Sequence, residues 1–213
     1  MSDIGKRFRR RRHRGVFTAR RLSHWQSVLD GWCKIHEEYC SLVQGDAIYW
    51  NIERSNLGAL AGAAWRLGWA ALEEFPQPKN LKRKRFGGRA DLFLKSPKHE
   101  DYVESKMTWM TLRRGQVTPA DGVLRGLTSA CKDASALHLT KSSERRVGIV
   151  FAVPYYRMGT ILPLDVFDDF FETLASHAID AAAWCFPECA RELIWKEPYE
   201  NVHPGVILVA RTI

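Results

Sequence analysis

The sequence predicts an α/β protein, with a mixed central β-sheet carrying helices on its faces. Three features carry that expectation. Apolar residues recur at three- and four-residue steps over 18–43 and again over 50–74, the period of an amphipathic helix. Residues 87–109 read as two short strands joined by a turn. Val147-Gly-Ile-Val-Phe-Ala-Val153 is a continuous apolar run closed by Pro154, the pattern of a strand buried on both faces.

Residues 1–14 carry Lys6, Arg7, Arg9, Arg10, Arg11, Arg12 and Arg14, with little to bury. They are expected to form a basic arm, disordered until it meets a phosphate backbone or an acidic surface. Residues 15–213 are then a single domain. Its first helix shows Leu22, Trp25, Val28, Leu29, Trp32 and Ile35 in one stripe and ends at Gln44-Gly45-Asp46. A second helix is expected from Trp50 to Glu74. Gly58, Ala59, Ala61, Gly62, Ala63 and Ala64 imply close packing against another element, and Pro76 and Pro78 stop the helix.

A second basic cluster, Lys79 to Arg85, leads into Gly87-Gly88. Arg89–Leu94 and Asp101–Trp109 flank the turn Ser96-Pro97-Lys98-His99, which makes a β-hairpin. Thr118 and Pro119 read as the cap and first position of a third helix, running to about Leu139. Leu164–Ala183 reads as helical, and Glu192–Lys196 and Gly205–Arg211 are the last strand candidates.

Composition bounds the function. The chain has 213 residues, enough for one domain with a real core, and 32 Lys and Arg against 24 Asp and Glu give a formal charge of +8. A basic surface favours polyanionic partners. No apolar stretch has the length and neutrality of a membrane span, and no secretory leader follows the basic start. Cys33, Cys40, Cys131, Cys185 and Cys189 are an odd, scattered set, expected as free thiols in a reducing cytoplasm. Cys185 and Cys189 lack the second Cys/His pair of a zinc site. No Gly-rich phosphate loop and no Gly-x-Ser-x-Gly elbow is present.

The chemistry is expected in the hairpin. Glu104 and Lys106 stand two apart on one strand and face the same way, and Asp91 lies on its neighbour. Converging carboxylates repel unless a cation lies between them, and hard oxygen donors favour Mg²⁺ or Mn²⁺. A Glu-x-Lys triplet alone reads as a surface strand with an ion-paired Glu and Lys; its place among the flanking helices and strands sets it apart.

Helix, strand with Asp91, strand with Glu104-Ser-Lys106, helix, buried strand: this order, over about 50–154, resembles the PD-(D/E)XK nuclease superfamily, with Gly88-Arg-Ala-Asp91 and Glu104-Ser-Lys106 as the matching motifs. Ala90 replaces the usual proline. The resemblance implies a restriction-endonuclease-like αβββαβ core, with an N-terminal helix and C-terminal additions. It implies divalent-metal-dependent hydrolysis of phosphodiester bonds in nucleic acid, with DNA the expected substrate and a homodimer suited to cutting both strands. Asp91 and Glu104 are then metal ligands and Lys106 lies at the attacking water. Glu53, on the first core helix, is the best match for a further metal contact. Arg9, Arg10, Arg11, Arg12, Lys82, Arg83, Lys84, Arg85, Arg113 and Arg114 are the expected nucleic-acid contacts. The alternative is a catalytically inactive nucleic-acid-binding or protein-interaction module on the same fold. Trp25, Trp32, Trp65 and Trp69 are expected to pack rather than stack on bases, whereas Tyr155 and Tyr156 stand where a ligand can be met.

Overall fold

The computed structural model describes residues 2–81, 84–112, 120–141, 143–157, 164–192, 194–195 and 200–213. The chain folds in the order α1 (Asp3–Arg10), β1 (Arg14–Thr18), α2 (Gln26–Leu42), α3 (Glu53–Arg66), β2 (Ala70–Pro76), β3 (Lys79–Leu81), β4 (Lys84–Phe86), β5 (Arg89–Lys95), β6 (Glu100–Thr111), α4 (Ala120–Ser135), β7 (Glu144–Arg157), α5 (Asp168–Ala175), β8 (Ala181–Cys185), β9 (Ile194–Trp195), β10 (Asn201–Val202) and β11 (Val206–Thr212). The expected α/β class with a mixed sheet between helices is what the chain adopts. The main sheet runs β1-β8-β11-β7-β6-β5-β2, with β9 and β10 appended at β7. All its pairings are antiparallel except β6–β7, which is parallel and bridged by α4.

Side-chain alternation divides the core between the two faces. From β7, Val147, Ile149, Phe151 and Val153 meet Trp25, Leu29, Trp32 and Leu60 of the 20–66 region. Val150 and Ala152 point the other way, toward Val123 and Leu127 of α4 and the phenylalanines of α5. The apolar run is thus buried on both faces, as its sequence predicts. Helix α4 lies close to β7 at Gly148, where an added Cβ would come within 2.6 Å of the Cys131 nitrogen.

Several segments depart from expectation. The arm at 1–14 is ordered as α1 and β1. Ile4 and Phe8, one helical turn apart, are both buried, and Phe8 stacks on Phe171 at 4.3 Å. Ser2 caps α1, and its backbone N–H donates to Glu172. Two apolar residues sufficed to dock a segment whose charge alone argued for disorder. The second helix stops at Arg66 rather than Glu74: Gly68 takes a positive φ of 74°, and 70–76 becomes the strand that covers β5. The first helix opens with a 3-10 segment, Arg20–Trp25. Residues 181–183, three alanines read as helix, form β8 between β1 and β11, where tertiary pairing overrides alanine's helical preference. Cys40 and Cys189 are joined as a disulfide while Cys33, Cys131 and Cys185 are free. A pairing across 149 positions leaves no local sequence signal. The free-thiol argument for a reducing compartment therefore fails for that pair. Among the described residues no helix is long and apolar enough to cross a membrane.

His36 of α2 is buried against the Trp32 ring (4.5 Å) and the Tyr49 ring (5.7 Å). Burial holds its pKa down at about 3. The fold keeps the neutral ring, so this contribution is complete above the unfolded value near 6.5 and is lost as pH falls toward the folded one. Two outcomes are expected. Phe8→Ala lowers the unfolding free energy by about 3–5 kcal/mol in urea titration; an unchanged midpoint would show that α1 is not docked. The stability gap between wild type and His36→Leu shifts in favour of the variant by on the order of 3 kcal/mol between neutral pH and pH 4, and a pH-independent gap would contradict the buried neutral imidazole.

Candidate functional site

The β5–β6 ladder is regular from Lys95–Glu100 to Leu92–Val103. At the next position Asp91 enters with its side chain: Oδ2 accepts from the Ser105 backbone N–H at 2.7 Å. The Ser105 hydroxyl is shared between the same Asp91 oxygen (3.1 Å) and Glu53 Oε1, to which it donates. Ser105 thereby ties the first turn of α3, strand β5 and strand β6 together at one point. Asp91 and Glu53, two of the three expected ligands, meet there.

Glu104 and Lys106 lie on the opposite face of β6 from Ser105. Glu104 is almost fully buried and pairs with the Lys79 ammonium at 2.8 Å. Burial pushes its pKa up, the Lys79 hydrogen bond opposes that, and the charge of Asp91 raises it further. Lys106 reaches Asp133 of α4 at 2.7 Å. Burial works against its charge, but Asp133, Glu53 and Asp91 together more than compensate, and its pKa is raised. Lys106 is thus a firmly held cation. The close seating of α4 at Gly148 is what brings Asp133 within its reach.

Asp91, Glu104 and Lys106 therefore share one neighbourhood, with Glu53 joined through Ser105. Among the described residues, however, no three His, Cys, Asp or Glu side chains stand together closely enough to hold a metal ion. Beside Glu104 the positive charge is supplied by Lys79. Ser105, Lys79 and Asp133 were missed as site members in the sequence. Ser105 lies inside the Glu-x-Lys triplet, and Lys79 heads the basic cluster, but nothing in their spacing marks either, and Asp133 is joined only by the α4 crossover.

The expected nucleic-acid contacts divide. Arg9, Arg10 and Arg11 are exposed. Arg12 is committed to the fold through a two-pronged pair with Asp168 (2.8 and 2.9 Å), and Arg9 reaches the same carboxylate at 3.4 Å. Lys82, Arg83, Arg113, Arg114, Thr118 and Pro119 lie outside the described residues, as do the side chains of Lys84 and Arg85.

Of the tryptophans expected to pack, Trp25 and Trp32 are buried, whereas Trp65 is exposed on α3. Trp25 donates to Asp101, which also binds His24 and Arg145, each at 2.8 Å. At the other end of β6 an aromatic group gathers around His203: Trp109 (5.2 Å), Tyr155 (5.7 Å) and Trp50 (6.1 Å). Burial lowers the His203 pKa to about 4.

The fold and site thus define an α/β protein with a carboxylate–lysine cluster where two strands part beside a parallel crossover. No family model, curated protein or solved structure matches the chain.

The Lys79–Glu104 pair generates one expectation. In a double-mutant cycle of Lys79→Met and Glu104→Gln, urea unfolding should give a coupling of roughly 1–3 kcal/mol, because either single change leaves a buried charge or acceptor without its partner. A coupling near zero would mean the pair does not form in solution.

Proposed function

We propose that the chain is a divalent-metal-dependent nuclease built on a restriction-endonuclease-like core. One observation carries this reading: Asp91, on the strand beside the Glu104-Ser105-Lys106 triplet, anchors on Ser105 between Glu104 and Lys106, with Glu53 joined at the same hydroxyl. The succession α3, β2, β5, β6, α4, β7, with β6 and β7 parallel, supports it.

Glu53, Asp91 and Glu104 supply oxygen donors of the kind that suits Mg²⁺ or Mn²⁺. Asp91 and Glu104 would hold the ion, with Glu53 as third carboxylate. A bound cation would polarise the phosphate and lower the pKa of a water molecule. Taking up a cation at Glu104 requires the Lys79 ammonium to give way. The residues themselves do the rest. Hydrolysis adds a water oxygen to phosphorus, breaks one phosphorus–oxygen bond and releases an alcohol. Lys106 would position the water and offset charge growing on the phosphoryl oxygens, and the water's proton leaves with the departing alcohol. The +8 charge and the exposed Arg10 and Arg11 provide sequence-independent attraction to the backbone of a nucleic acid, DNA by expectation.

The Lys79–Glu104 and Lys106–Asp133 pairs favour a second reading, a nucleic-acid-binding module whose lysines have replaced the metal. Cleavage of labelled DNA and RNA, single-stranded and duplex, separates the two. The nuclease reading expects cleavage with Mg²⁺ or Mn²⁺, none in EDTA, and a loss on the order of hundredfold or more in Asp91→Asn, Glu104→Gln and Lys106→Met. Binding without cleavage, equal in wild type and variants, would establish the module.

A further inference from the structure

Strand β6 continues past the end of its pairing with β5, and among the described residues its far half pairs only with β7. On the face that carries Ser105 the next positions are Met107 and Trp109. Met107 packs into the core, but Trp109 is 48 % exposed, unusual for a tryptophan within a central strand. Its indole meets the buried His203 ring, which in turn contacts Tyr155 and Trp50. The Tyr155 hydroxyl accepts from Thr111 at 2.6 Å, so this group is braced from behind.

We propose that Trp109, backed by His203 and Tyr155, is a stacking shelf for an unpaired nucleobase, so that the chain prefers single-stranded or locally unstacked nucleic acid. The proposal rests on the nuclease reading for the polymer's identity, and on the shelf for its form.

Two paths join the shelf to the carboxylate cluster. Along β6, Ser105 and Trp109 are four residues apart, about 13 Å at strand rise, or roughly four nucleotide steps at the stacked rise of about 3.4 Å. Along the chain, Trp50 lies three residues before Glu53, with the 65 % exposed Ile52 between them. A strand whose phosphate lies at Glu53–Asp91 thus has a base within reach of Trp109. The half-exposed face of one indole is far below the area of a stable protein interface but matched to one base.

The test uses the full chain in EDTA, titrated with fluorescent oligothymidylate and with an abasic strand of the same length. Wild type should bind the base-bearing strand more tightly. Trp109→Ala should weaken that binding roughly 5- to 100-fold and leave the abasic strand unaffected, while Trp109→Phe keeps most of the preference. Equal loss on both strands, an unchanged Trp109→Ala, or no preference in wild type would each overturn the shelf. Should Trp109→Ala misfold, Trp109→Phe against Trp109→Leu gives the same comparison. Cleavage with Mg²⁺ is read separately. A base preference without cleavage leaves the shelf standing and removes the nuclease reading; cleavage with no base preference does the reverse.

Discussion

The parallel pairing of β6 with β7 is the constraint on which the rest of the molecule depends. It runs from Glu100–Glu144 to Thr111–Tyr155, and its strands enter both cores. Parallel neighbours cannot be joined by a tight turn, so the chain must cross over, and α4 is that crossover. Packing α4 against β7 at Gly148 sets where Asp133 lies, hence where Lys106 is held. The same pairing lets β6 outrun β5. The region where β5 and β6 part is the carboxylate cluster, and the free length beyond carries Trp109.

Charge inside the molecule is balanced locally rather than by water. Glu104 is opposed by Lys79, Lys106 by Asp133, and Asp101 by Arg145 and His24. Each arrangement joins elements distant in sequence, so the polar groups specify register as well as compensating one another. For the buried Glu104 and Asp101, removing the partner leaves the carboxylate desolvated, which costs more than the pair itself contributes. Asp168 does the same work at the surface, drawing Arg9 and Arg12 against α5. Part of the N-terminal basic charge therefore organises the fold, and Arg10 and Arg11 remain for solvent or a polyanion.

Ser105 has a role out of proportion to its size. Its N–H is released from the β5 ladder and taken by Asp91, while its hydroxyl serves Glu53. A backbone donor thus positions an acidic side chain, which holds two carboxylates near one another without burying either in apolar surroundings. Such an arrangement is rigid in the first turn of α3 and in the strands, where precision is easier to keep than in a loop.

What the sequence determined by itself is whatever rests on periodicity and local pattern. The two-sided run at 147–153, the stripe from Leu22 to Ile35, the hairpin around Ser96–His99 and the placement of Asp91 and of Glu104-Ser-Lys106 on its two strands were all legible, because each is encoded within one element and its neighbour. Tertiary structure decided what depends on distant partners. Ile4 and Phe8 dock α1 only because α5 presents Phe171. Ala181–Ala183 pair as a strand only because β1 and β11 flank them. Cys40 finds Cys189, and Lys79 and Asp133 reach the candidate site, through contacts that close long loops. The physical reason is common to all: intrinsic preferences amount to tenths of a kcal/mol per residue, whereas burying an apolar side chain or pairing a buried charge is worth kilocalories, about 1–3 for a large apolar group.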